Sequence, residues 1–117
     1  MIWKKNRSKY GNVQLTFHGE KFDSIAEQQY YMLLRQMEKN GEITDLHRQT
    51  GFCLIPAQKD ENGKVIERAC YYYADFTYKQ GEKLHVIDVK GVRTDVYKIK
   101  RKLMLERFGI RVEEVEA

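Results

Sequence analysis

The chain is poor in the residues that mark several classes of protein. It has one proline, Pro56, and two cysteines, Cys53 and Cys70, among 117 residues. Linker-like and collagen-like compositions are therefore excluded, and 42% apolar with 32% charged residues excludes intrinsic disorder. Two cysteines cannot build a disulfide framework, and no further ligands sit at zinc spacing around them, so both read as reduced core residues. No apolar run approaches the roughly 18 residues of a membrane span, and the mean hydropathy is −0.68. The opening MIWKKNRSKY lacks the apolar stretch of about 7–15 residues that a secretory signal needs. Gly91 stands alone rather than in a phosphate-binding loop, and no serine or cysteine is placed with a histidine as a nucleophilic pair would require. These absences leave a soluble, cytoplasmic domain without a membrane partner or a small-molecule cofactor.

At 14.0 kDa the chain fits a single domain, 1–117, with one core. Its net charge is +4, and the distribution says more than the sum. Lys4, Lys5, Arg7 and Lys9 precede the first acid, Glu20. A second basic run contains Lys90, Arg93, Lys98, Lys100, Arg101, Lys102 and Arg107, diluted only by Asp95 and Glu106. Two basic segments on so small a domain suit a polyanion, because each neutralised phosphate releases counterions. A solvated helix face beside a basic terminus accounts for the same charges.

Alternation over 13–17, the His18-Gly19 turn and Glu20-Lys21-Phe22 predict a hairpin. Ser24 opens a helix that runs to about Asn40 and stops at Gly41, with Ala26, Tyr30, Leu33 and Met37 as its apolar stripe. Residues 44–49 and 52–58 read as two extended segments around Gly51, followed by a turn at Asp60-Glu61-Asn62-Gly63. Strands are predicted over 70–78 and 83–90. Thr94 or Asp95 then caps a second helix with the stripe Val96, Ile99 and Leu103, ended by Gly109, and 110–115 forms a last strand. The result is an α/β fold with a mixed sheet.

The acids are unevenly placed. A two-residue Gly81-Glu82 loop of type II′ pairs Gln80 with Lys83, and therefore Asp75 with Asp88, on one face. Lys90 projects to that face as well. Opposed carboxylates repel, so a shared proton, a basic neighbour or a divalent cation must compensate them; Lys90 and Mg²⁺ are the candidates. A surface hairpin with merely solvated acids is the bland alternative. Glu27 also has two readings. Ser24-Ile25-Ala26-Glu27 is a capping box, yet Glu27 aligns with Tyr31 and Leu34 at the edge of the apolar stripe. Lys98 and Lys102 lie one turn apart, either against phosphates or in solvent. The Tyr71-Tyr72-Tyr73 run alternates faces, which suits core and edge packing better than a base-stacking platform. His85 points away from the acidic face.

Glu27 on a helix, Asp75 on a strand and Asp88-Val89-Lys90 on the next, 13 residues after Asp75, resemble the PD-(D/E)XK nuclease signature. More widely, the chain is similar to a family of small phage-encoded proteins in that superfamily, catalogued as a domain of unknown function and akin to Holliday-junction resolvases. The matching stretches are Lys21-Phe22-Asp23-Ser24 with Ala26-Glu27, Gly41-Glu42-Ile43 with Asp45-Leu46 to Gln49, Phe52 with Leu54 and Pro56, Tyr73-Ala74-Asp75-Phe76 and Val86 to Gly91. The helix from Thr94 to Leu103 also fits, so the resemblance covers most of the chain.

The resemblance implies a restriction-endonuclease-like α-β-β-β-α-β core behind an N-terminal β-hairpin, and a Mg²⁺-dependent endodeoxyribonuclease in which Mn²⁺ substitutes. By the family pattern Asp75, Asp88 and the Val89 carbonyl hold the metal, Glu27 completes the shell, Lys90 handles the attacking water and Gln49 assists. Asp88 stands where the family often has glutamate. DNA contacts are assigned to Lys4, Lys5, Arg7, Lys9, Arg93, Lys98 and Lys102. The implied substrate is branched DNA such as a four-way junction, cut by a homodimer in a host bacterium's cytoplasm. The basic arm and hairpin, 1–22, would serve as the dimerising or DNA-gripping element. A general nickase, an end-processing nuclease, an RNA-directed nuclease and a catalytically silent DNA-binding module of the same fold are the other readings.

Overall fold

The computed structural model describes residues 15–17, 20–22 and 24–117. Among these described residues the elements follow in the order β1 (Leu15–Phe17), β2 (Glu20–Phe22), α1 (Ile25–Lys39), β3 (Thr44–Ile55), β4 (Gln58–Lys59), β5 (Val65–Glu67), β6 (Cys70–Gln80), β7 (Lys83–Lys90), α2 (Asp95–Phe108) and β8 (Glu113–Glu116). The main sheet has the order β3-β6-β7-β8. Its first two pairings are antiparallel and β7–β8 is parallel, so the sheet is mixed. The predicted N-terminal hairpin is present as β1–β2, with Leu15 opposite Phe22. Lys4, Lys5, Arg7 and Lys9 lie outside the described residues. No helix among the described residues is long and apolar enough to cross a membrane.

Local signals set the helix ends. Ser24 Oγ accepts from Glu27 N at 3.1 Å, and Thr94 Oγ1 accepts from Tyr97 N at 3.1 Å. Gly41 and Gly109, at φ 80° and 67°, take the left-handed positions that close the two helices. The buried faces differ from the predicted stripes. In α1 the buried residues are Glu27, Tyr31 and Leu34, while Leu33 is exposed. In α2 they are Tyr97 and Met104, while Val96 and Ile99 are 62% and 57% exposed. Tyr30 and Met37 of the first predicted stripe and Leu103 of the second do pack against the core, but Leu33, Val96 and Ile99 are exposed. Tyr31 and Tyr97 fill the faces because a tyrosine can bury its ring while its hydroxyl finds a partner.

The two extended segments predicted around Gly51 are one strand, β3. Gly51 lies directly opposite Tyr73, and a Cβ there would approach Tyr73 Cε1 to 2.9 Å, so glycine is needed for ring contact rather than for a break. The Asp60 turn closes a further small hairpin, β4–β5, where Asp60 Oδ1 accepts from Asn62 N and Lys64 N, both at 2.9 Å. The last strand is shorter than predicted, starting at Glu113.

Two apolar clusters pack against opposite faces of the sheet. Tyr31 and Leu34 of α1 join Phe22, Ile43, Phe76, Tyr78 and Ile87. Tyr97 and Met104 of α2 join Leu54, Tyr72, Ala74, Val86 and Val112. Adjacent residues Val86 and Ile87 fall in different clusters, as strand alternation requires. In β6, however, Tyr72 and Ala74 belong to the α2 side and Phe76 and Tyr78 to the α1 side. The alternation therefore changes phase at Asp75. In β3 it changes at the same level, at Gln49, whose φ is 52°.

Candidate functional site

The site is built where β6 and β7 part. The Gly81-Glu82 loop gives the expected register, from Gln80 opposite Lys83 to Phe76 opposite Ile87, with Gly81 at φ 63°. The next pair in that register is Asp75 and Asp88. Backbone pairing ends there, and the Asp75 side chain takes over as acceptor: its Oδ2 receives Val89 N–H at 2.8 Å. Asp75 Oδ1 receives the Gln49 amide at 3.4 Å, which places the predicted auxiliary beside it.

Asp88 is 2% exposed. Its Oδ2 accepts from the Tyr72 hydroxyl, and its Oδ1 lies 3.3 Å from Lys90 Nζ. Burial and then the charge and hydrogen bond of Asp75 push its carboxyl up to about 8, against the opposing pull of Tyr72 and Lys90. A half-exposed carboxylate thus meets a buried one, with one ammonium 3.3 Å from the buried member. Lys90 Nζ also sits 4.1 Å from the centre of the Tyr97 ring. Burial, then the neighbouring Asp88 charge, raises the Tyr72 hydroxyl well above its usual range, so it stays a donor.

A second layer holds Tyr97. Glu114 of β8 lies opposite Asp88. Its Oε2 accepts from the Tyr97 hydroxyl at 2.7 Å and Arg101 Nη1 at 2.8 Å, and its Oε1 from Arg93 Nε at 2.8 Å. Burial opposes its ionisation, but the hydrogen bonds from Tyr97, Arg93 and Arg101 outweigh it and hold the carboxyl at about 2. Arg93, predicted to meet DNA, is committed here and to Glu116 at 2.6 Å. Lys98 and Lys102 are exposed on α2.

Glu27 is buried on the α1 side, with Arg48 Nη2 3.4 Å from its Oε2. The Arg48 guanidinium lies 4.0 Å from the centre of the Phe22 ring. The structure therefore brings Asp75, Asp88, Lys90 and Gln49 together and gives Glu27 a cationic partner. Among the described residues no three His, Cys, Asp or Glu side chains gather as a metal-holding group. The two aspartates still fit a hard cation: both offer carboxylate oxygen, and Mg²⁺ is commonly held by one or two carboxylates with waters and substrate phosphate completing the shell.

Tyr72, Tyr97 and Glu114 escaped the sequence analysis. Tyr72 was hidden in a run read as packing, and Glu114 reaches the site only through parallel pairing across 26 residues of chain. His85 does lie on the side away from the acids, stacked on Tyr78 with centroids 4.9 Å apart, and its Nδ1 is 2.6 Å from Glu113 Oε2.

Neither the curated proteins searched nor the solved structures gave a match to this chain. A family pattern does match, over residues 7–115, nearly the whole length. The chain belongs to the family described as "Protein of unknown function (DUF1064)".

Proposed function

We propose that the chain is a metal-dependent endonuclease of the PD-(D/E)XK type, acting on branched DNA in the manner of a junction resolvase. One observation carries the reading: Asp75 and Asp88 face each other at the strand fork, short of compensating charge, with Lys90 Nζ 3.3 Å from Asp88. The order helix, three long strands, helix, strand supports it, as do the basic residues on α2.

Asp75, Asp88 and the Val89 carbonyl, which shares its strand edge with the N–H given to Asp75, would hold Mg²⁺. When bound, the ion supplies Lewis-acid stabilisation of charge developing on the phosphate. Lys90 would hold a water beside that phosphate and offset the negative charge of the attack. The water oxygen bonds to phosphorus, its proton passes to a basic group or solvent, and the bond to the 3′ oxygen breaks as that oxygen takes a proton from solvent; a 5′-phosphate and a 3′-hydroxyl result. Asp75 braces the site by holding Val89 N–H, and Gln49 orients the other Asp75 oxygen. Tyr97 seats the Lys90 ammonium, and Glu114 with its two arginines fixes Tyr97.

The test is cleavage with Mg²⁺ or Mn²⁺ of a labelled four-way junction beside a matched linear duplex, with Asp88→Asn as the control. Symmetric cutting of the junction, lost in the variant, is the expected result. Cutting of both substrates equally would make it a general nuclease. Tight binding with no cutting of either would leave a silent DNA-binding module and remove the enzyme reading.

A further inference from the structure

Beyond the fork, the first half of β6 carries two tyrosines that nothing in the mechanism uses. Tyr71 and Tyr73 are 41% and 43% exposed, on the opposite face from buried Tyr72. Their rings stack with centroids 5.8 Å apart and planes 17° from parallel. The Tyr73 ring lies against Gly51, in contact that any side chain at 51 would disturb. With Ala69, Cys70 and Lys100, the two rings line a surface groove of about 390 Å³. That size falls within the range of about 300–1,000 Å³ for ligand sites. Its lining contains one cation and no carboxylate.

Flat exposed aromatic faces beside a lysine match a ligand that is both planar and anionic. A nucleotide has both properties, and stacking is indifferent to which base it carries. Tyr73 precedes Asp75 by two residues on β6, roughly 6.6 Å along the strand, so the groove lies beside the fork although the alternation changes phase between them. Duplex DNA keeps its bases stacked inside and cannot offer one to the groove without unpairing. We propose that this groove is a stacking subsite for an unpaired base, with Lys100 on the adjoining phosphate. The subsite selects nucleic acid with single-stranded character beside the cut. Its placement relative to cleavage rests on the nuclease reading; base stacking itself does not.

The test separates the two. Binding of the full chain is measured by fluorescence anisotropy in EDTA, so that nothing is cut. The probes are labelled (dT)15, an abasic strand of equal length, and a duplex. The wild type should prefer (dT)15 to the abasic strand. Tyr73→Ala and Tyr71→Ala should each weaken (dT)15 about five- to hundredfold and leave the abasic strand unchanged. Tyr73→Phe should behave as wild type. Tyr73→Leu, which keeps apolar cover over Gly51, should repeat the loss and decides the matter if the alanine variant does not fold. Lys100→Ala should weaken both strands and reduce the salt slope by about 0.7. Equal wild-type affinity for the two strands, or tyrosine variants that still prefer (dT)15, would overturn the subsite. Cleavage is scored separately with Mg²⁺. Tyrosine-dependent binding without cleavage removes the nuclease reading and keeps the subsite, and cleavage without any base preference does the reverse.

Discussion

Asp88→Asn should stabilise the metal-free fold at alkaline pH. In the folded chain, burial and the neighbouring Asp75 hold the Asp88 carboxyl at about 8, against 3.8 for an ordinary aspartate. Between those two values the folded state keeps a proton that the unfolded chain has released. Stability therefore falls as pH rises through that window, the reverse of a salt-bridged carboxylate. The window spans about four pH units at about 1.4 kcal/mol each, which sets a ceiling of roughly 6 kcal/mol above pH 8. Because a buried site relaxes when it ionises, about 2–4 kcal/mol is expected. Asparagine keeps an oxygen for the Tyr72 hydroxyl and an N–H for Asp75, and it never ionises.

The assay is thermal unfolding in EDTA from pH 5 to pH 9 for both proteins. The wild-type curve should fall with pH while the variant stays flatter, so that the gap opens to several degrees or more at pH 9. Added Mg²⁺ should restore the wild type alone at pH 8, by about 1.4 kcal/mol at ten times its Kd, because it takes the place of the proton. Wild-type and variant curves that run parallel across the whole range would refute the argument that the two aspartates lack compensating charge.

Other perturbations separate the remaining parts. Lys90→Met should abolish cleavage while calorimetry still detects Mn²⁺ binding at the aspartates; loss of both would make Lys90 a structural counter-ion only. Glu114→Gln should cost about 1–3 kcal/mol in urea unfolding at pH 7, because it weakens charge-assisted bonds to Arg93 and Arg101. That cost should shrink as pH falls from 4.5 toward about 2, where the wild-type carboxyl is protonated too. Lys98→Ala with Lys102→Ala should lower the salt slope of duplex binding by about 2. An unchanged slope would take α2 away from the phosphates.

What was legible in the sequence was local. Ser24 and Thr94 cap the helices they were read to cap, and Gly81-Glu82 sets the register that brings Asp75 to Asp88. Each depends on a few neighbouring residues whose backbone geometry is nearly obligatory. The helix faces were less legible because they depend on partners. Val96 and Ile99 have the right spacing for a core, but the α2 side of the sheet presents Tyr72 and Val86, and Tyr97 and Met104 fill against them. Glu114 was out of reach for a stronger reason. Its role follows from β8 lying parallel to β7 after a crossover, and no pattern within β8 announces three donors converging on one carboxylate.

The phase change at Gln49 and Asp75 explains why the acids stand where they do. A strand that alternates without interruption puts Tyr72, Ala74, Phe76 and Tyr78 on one face, and two helices on opposite faces could not both use them. The chain serves both by reversing the alternation once, with Gln49 in a left-handed conformation opposite Asp75. At that level Asp75 is committed to neither core. Its carboxylate is left in the fork, where one oxygen replaces a missing backbone acceptor for Val89. β7 keeps its alternation, so Asp88 still points into the α2 side and becomes buried. One carboxylate is therefore held at the fork, half-exposed, and the other is driven inward beside it. The same irregularity that lets one sheet pack two helices creates the juxtaposition of unlike acids on which the proposed chemistry depends.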